Sequence, residues 1–213
     1  MKFMPVGIRL AGKPVLVVGG GAVGVRKIRT LLLCGARVTV VSPQPSRILR
    51  RLADAGKIIW KKRAFGPADK IAGRPAVIFA CTSSESVNRR LGRLAASAGI
   101  WINRADSPND SDVHVPSVAR FGGLTIAIFS GGLGPAFVKY LRKRLERELG
   151  SYVASELRLL GNLRRRLKKH IPSANRRKRI LTQLLKDGSI ERLARRPARE
   201  REMSLRSALE RWK

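Results

Sequence analysis

A glycine run between a buried strand and a helix constrains this chain more than any other feature. Pro14-Val15-Leu16-Val17-Val18 is continuously apolar, as in a strand covered on both faces. Gly19-Gly20-Gly21-Ala22-Val23-Gly24 follows it and satisfies GxGxxG. A helical stripe then begins, with apolar residues at 25, 28, 31 and 32, and Gly35 closes it. The motif is weak alone, but strand before and helix after are the context that gives it meaning. Gly19 permits the tight turn, Gly21 lets the backbone approach a pyrophosphate, and Gly24 lets the helix pack closely on the strand. The helix N-terminus offers unpaired N–H groups to the anion. Dinucleotide binding is the expectation.

The next segments repeat the alternation. Strands are expected at Arg37–Val41, Lys57–Trp60, Ala76–Ala80 and Gly99–Ile102, and helices at Ser46–Ala55 and Ser83–Ala98. Such alternation implies βαβ units, right-handed crossovers and a parallel sheet with helices on both faces. The second strand ends Val41-Ser42-Pro43-Gln44, without the acid that would hold the adenine ribose. Ser42 and Gln44 are the hydrogen-bonding groups there. Arg26, Lys27 and Arg47 are nearby charges able to tolerate a 2′-phosphate.

Beyond residue 105 the pattern changes. Asp106–Asp112 is a polar loop, Leu124–Ile128 alternates as a strand, and Ser130–Pro135 is a second glycine turn. From Ala136 the chain reads as short amphipathic helices, broken near Gly150–Ser151, Pro172–Ser173, Gly188 and Pro197. Leu157, Leu160, Leu163 and Leu167 form one stripe, and Ile180, Leu181, Leu184 and Leu185 another.

The charge is extreme. The 213 residues carry a formal net charge of +31, so polyanions are the partners to expect. Apolar residues at 44% exclude a disordered chain. Cys34 and Cys81 have no metal-ligand spacing, and buried thiols in a reducing cytoplasm are expected. No targeting segment or membrane span is read, and the glycines and Pro135 exclude one in Phe121–Val138. No Cys or His stands near His114 in the sequence, so no metal site is assigned.

Three segments carry a more specific resemblance. The first is Pro5-Val6, Leu10, Gly12 through Gly21, Arg26-Lys27 and Gly35-Ala36-x-Val38-Thr39-Val40. The second is Ala80-x-Thr82 with Val87-Asn88. The third is Asn103-x-x-Asp106-x-Pro108, Asp112-x-x-x-Pro116, Leu124–Ile128, Ser130-Gly131-Gly132, Pro135-Ala136, Leu141-Arg142 and Leu145-Glu146. Over about residues 5–149 the chain resembles the precorrin-2 dehydrogenase family, which includes the ferrochelatase activities of siroheme synthases.

The resemblance implies an α/β fold. A Rossmann-type parallel-sheet domain (1–112) binds NAD, a small α+β dimerisation segment (113–150) follows, and a basic helical domain (151–213) ends the chain. It implies a homodimer that oxidises precorrin-2 to sirohydrochlorin with NAD, and in many members then inserts ferrous iron. Asp106 falls on the family's catalytic aspartate. Ala22, Val23, Pro43 and Gln44 fall on its cofactor contacts, and Thr82 is grouped with them. Asn103, Ser130, Gly131 and Gly132 are the expected substrate contacts, and Ser130 matches a serine phosphorylated in some bifunctional members. The chain departs from the family at Ser111, Val113 and Leu133-Gly134. The last pair lacks hydroxyls usual before Pro135, which bears on chelation more than on oxidation.

The chemistry suits the residues. Precorrin-2 is a polyanion that a basic cleft attracts. Its oxidation releases a hydride to the cofactor and a proton to a positioned carboxylate. The alternative is an NAD-responsive nucleic-acid-binding protein using Arg164–Lys169 and Arg176–Arg179. Against it, the tail lacks interleaved aromatics and a helix-turn-helix.

Overall fold

In the computed structural model, residues 4–44, 46–150, 152–197, 199–201, 203–204 and 207 are described. The first unit, Met1–Val115, is built on five parallel strands: β1 (Pro14–Val18), β2 (Arg37–Val41), β3 (Ile59–Lys61), β4 (Val77–Ala80) and β5 (Trp101–Arg104). Their order is β3-β2-β1-β4-β5, so the chain reverses its direction of progress between β1 and β4. Val15 lies opposite Val38 on one side and Val77 on the other.

The period of two along each strand sorts the core into two layers. Val15, Val17, Val38, Val40, Val77 and Phe79 face α1 (Ala22–Leu33) and α2 (Arg47–Asp54), packing on Ile28, Leu31 and Leu49. Leu16, Val18, Ile78, Ala80 and Ile102 face α3 (Glu85–Ser97), packing on Leu91 and Ala95. Apolar residues at both parities are what an internal parallel strand requires. Ser46 and Ser84 cap α2 and α3 by accepting from Leu49 N and Val87 N.

Two strands lie two or more residues later than expected, for one reason. The glycines end helices instead of starting strands. Gly99 takes φ +63°, and Ile100 N bonds back to Ala95 O. Gly56 takes φ +64°, and Lys57 N bonds back to Leu52 O. The strands therefore begin at Ile59 and Trp101, and β5 carries Asn103 and Arg104 inward.

The second unit is Pro116–Lys213. The sequence placed boundaries after 112 and 150; by compactness the chain divides once, after Val115. An antiparallel hairpin pairs β6 (Ser117–Phe121) with β7 (Leu124–Ile128) across Gly122-Gly123. Only β7 was expected, because Ser117-Val118-Ala119-Arg120-Phe121 mixes polarities. Helices α4 (Pro135–Leu149), α5 (Tyr152–His170), α6 (Ala174–Lys186) and α7 (Ser189–Ala194) follow. The core of α5–α7 is Leu159, Leu163, Leu167, Ile171 and Ile190, with Ile180, Leu181 and Leu184 against it.

Two stripe residues are corrected. Leu157 is about 120° around α5 from Leu163 and is exposed, while Leu159 takes the inward place. Leu185 is exposed at the end of α6. Cys34 is also exposed, since it caps α1 on the surface; only Cys81 is buried. Among the described residues no helix is long and apolar enough to cross a membrane.

Candidate active site

The carboxyl ends of β1 and β4 flank the point where the sheet reverses, which is where open α/β sheets bind ligands. The glycine turn sits there. Gly19 has φ +108°, and a Cβ on it would fall 2.3 Å from Cys81 O. A Cβ on Gly20 would fall 2.8 Å from Ser42 Oγ, and one on Gly24 would fall 2.1 Å from Gly19 O. These three glycines let β1, β2, α1 and the chain after β4 close on one another. Gly21 differs: a Cβ there meets nothing within 4 Å.

Gly21 is also the N-cap of α1, and no side chain caps the helix. Its first turn carries no acid. Gly21, Ala22 and Val23 are exposed. The result is an open helix N-terminus with free N–H groups and no negative side chain, as a pyrophosphate needs. The residues present thus fit a bound NAD(P).

The second strand's end is only partly open. Pro43 and Gln44 are exposed. Ser42 is buried, and its hydroxyl donates to Gln44 O at 2.9 Å. Trp60 Nε1 donates to Ser42 O at 3.0 Å. Ser42 is therefore a turn-holding residue, and of the two groups expected to reach a ribose only Gln44 is presented outward.

After β4 the chain is fixed by a side chain the sequence reading did not single out as functional. Asn88, fully buried on α3, accepts from Thr82 N at 3.3 Å and from Thr82 Oγ1 at 2.7 Å. Its Nδ2 donates to Thr82 O at 3.1 Å. Asn88 also favours the ionised form of Asp106. An asparagine on a helix four residues past its capping serine was the available signal.

Asp106 lies two residues beyond β5, with its side chain 25% exposed. Arg104 Nη2 donates to its Oδ2 at 3.0 Å. Burial works against ionisation of Asp106. The Arg104 guanidinium, a backbone N–H and Asn88 outweigh it, and the carboxyl is held below its ordinary range. Burial pushes the neighbouring Cys81 thiol up to about 11, so it stays protonated at neutral pH. Lys27, half-buried and 5.8 Å from the Phe79 ring centre, has its pKa lowered by burial.

The remaining expected residues are placed as follows. Asn103 is buried, and its Nδ2 donates to Val113 O at 2.7 Å while its Oδ1 has no hydrogen-bond partner. Asp112 Oδ2 accepts from Ile102 N at 3.0 Å, which fastens the loop back onto β5. Ser111 Oγ accepts from Arg104 N at 2.8 Å. Ser130, Gly131 and Gly132 belong to the second unit. They form a turn in which Gly131 and Gly132 have positive φ, and Ser130 Oγ accepts from Gly134 N at 3.3 Å. Among the described residues no group of three His, Cys, Asp or Glu side chains is placed to hold a metal.

Comparisons bear on this arrangement. A family model of NAD(P)-binding proteins matches residues 6–117. Siroheme synthase 1 of Aeromonas salmonicida is 39% identical over 87% of this chain and 39% of that protein. The siroheme synthase of Nitrosococcus oceani is 30% identical over 99% of this chain and 44% of its own length. The chain therefore spans less than half the length of these curated relatives. Among solved structures, SirC, a precorrin-2 dehydrogenase, superposes with a TM-score of 0.76 at 25% identity, covering 96% of this chain and 100% of SirC.

Proposed function

The chain belongs to the NAD(P)-binding family, and from that footing we propose that it oxidises precorrin-2 to sirohydrochlorin with NAD. The observation that carries this reading is the end-to-end likeness to a precorrin-2 dehydrogenase, joined to siroheme synthase relatives. A NAD(P) domain alone would leave the substrate open. The same observation turns the reading away from the nucleic-acid alternative.

Bound NAD supplies the hydride acceptor. The chain's residues do the rest. The α1 N-terminus and the open backbone at Gly21, with Ala22, Val23, Pro43 and Gln44, would hold that cofactor. Thr82, locked by Asn88, shapes the chain after β4. Asp106 accepts the proton released as the substrate is oxidised, and its carboxylate is anionic at neutral pH. Asn103, Ser130, Gly131 and Gly132 are assigned to the substrate. The positive charge of the chain steers a polycarboxylate in.

Ferrous iron is the further substrate of this reading, with Asp106 taking the pyrrole protons that the metal displaces. A homodimer is supported by apolar exposure in the second unit: Leu133 is 95% exposed, Phe137 63% and Tyr140 55%. A cytoplasmic setting suits the two unbridged cysteines.

The test is Asp106→Asn in an anaerobic assay with enzymatically made precorrin-2. Turnover should fall about 100-fold or more while NAD binding is unchanged. Unaltered turnover would remove Asp106 from the chemistry. Running NAD and NADP in parallel fixes the cofactor, and sedimentation of the full chain fixes the dimer.

A further inference from the structure

Arg104 puts a guanidinium at the end of a parallel strand, where an apolar side chain is usual. Its side chain is 6% exposed. Gly92 on α3 faces it: a Cβ there would make ordinary van der Waals contact, 3.6 Å from Arg104 Cδ. A charge so buried is unfavourable unless it is paired and hydrogen-bonded. The following loop does both. Nη2 donates to Asp106 Oδ2 at 3.0 Å, and Nε donates to Oδ1 at a long 3.4 Å. Nη1 donates to Asp110 Oδ2 at 2.7 Å, an oxygen that also accepts from Ser107 Oγ at 2.9 Å.

The two carboxylates are not equivalent. Asp106 is 25% exposed and met at both oxygens; Asp110 is 61% exposed and met by Nη1 at one. A planar fork against a carboxylate fixes direction as well as charge. Asp110 draws on the same cation from the solvent side. The other groups facing this cluster are Asn88 and Glu85 on α3 and Cys81 after β4. Lys27 and Arg26 act on Cys81; Arg104 is the cation that hydrogen-bonds Asp106.

We infer that Arg104 is the positioning residue of Asp106: the buried guanidinium aims the carboxylate and keeps it anionic, and Asp110 tempers that hold from the other side. This rests on reading Asp106 as the proton acceptor.

The test uses substitutions that push in opposite directions. Arg104→Met removes the cation, and Asp110→Asn removes its competitor. Two readouts are taken on the full chain. One is the acid limb of kcat/KM for precorrin-2 oxidation. The other is the pH titration of the Asp106 carboxyl by ¹³C NMR, assigned by loss of its signal in Asp106→Asn. Arg104→Met should raise both midpoints by about one pH unit or more. Asp110→Asn should lower them. Arg104→Lys keeps the charge and loses the fork, so it should keep the midpoint and lower kcat. A brace that served folding alone would lower activity without moving either midpoint. Midpoints that stay put, or move the same way in both variants, overturn the inference. If Arg104→Met does not fold, Asp110→Asn and Arg104→Lys decide it by the same criteria. The NMR arm needs no turnover. A chain that titrates as expected but leaves precorrin-2 unchanged contradicts the proposed reaction. A chain that turns over with a carboxyl indifferent to Arg104 contradicts the positioning role alone.

Discussion

Gly21→Ser should separate cofactor binding from stability. Gly21 has φ −72° and ψ −174°, an extended conformation that serine adopts freely, and its Cβ would meet nothing within 4 Å. A serine there caps α1 and accepts first-turn N–H groups that no side chain now takes. The free protein should gain only about 0.3 kcal/mol, the usual difference between serine and glycine caps. That is at most about 1 °C in Tm. The same side chain fills the gap and occupies the donors that the pyrophosphate needs. NAD affinity should fall about tenfold, which is about 1.4 kcal/mol. At NAD one hundred times the wild-type Kd, binding stabilises the wild type by about 2.7 kcal/mol. The variant at that concentration would keep about 1.4 kcal/mol. Thermal unfolding with and without NAD, alongside titration calorimetry, reads both quantities. A variant that keeps the full NAD-induced shift would refute the passage of the pyrophosphate over Gly21. One that is markedly less stable without NAD would refute the open space.

Gly24→Ala should behave in the contrary way. Its Cβ would sit 2.1 Å from Gly19 O, so α1 must retreat, with a loss of about 1–3 kcal/mol by urea titration; a neutral result would contradict the close packing of helix on strand. Thiol titration at pH 8 should find Cys34 reactive in the folded protein and Cys81 only after denaturation, because Cys81 is buried with its pKa at about 11; two fast thiols would contradict this. Asp106 is held below its ordinary value of 3.8. Its ionised form therefore stabilises the fold above that value, and this contribution is lost as pH falls through the lowered one. Urea stability should decline in that acid window, and Asp106→Asn should flatten part of the decline; identical profiles would count against the pairing with Arg104.

What the sequence makes legible follows from where the interactions are local. Pro14–Val18, Arg37–Val41 and Ala76–Ala80 are apolar runs whose neighbours need not be known, and the structure has strands over them or within one residue. The glycine turn is as local, and its contacts match the role given to each glycine. Errors arise where a residue serves two possible masters. Gly56 and Gly99 could open a strand or close a helix, and backbone bonds to Leu52 and Ala95 decide for the helix. Leu157 fits a stripe drawn in steps of three, but the buried row advances in steps of four from Leu159. Ser42, expected at the ribose, and Asn88, given no role, are decided by packing: Ser42 turns inward, and Asn88 bonds a threonine in another loop. Among the acids after β5, Asp112 reaches back to a β5 N–H, and Asp106 and Asp110 share a guanidinium whose burial no local pattern announces.

The most direct measurement is anaerobic turnover of precorrin-2 by the purified full chain, following NADH and sirohydrochlorin by absorbance in the same cuvette. The account predicts that the two appear together, one for one, and only when protein, precorrin-2 and NAD are all present. A folded chain that binds NAD and leaves precorrin-2 unoxidised would contradict it.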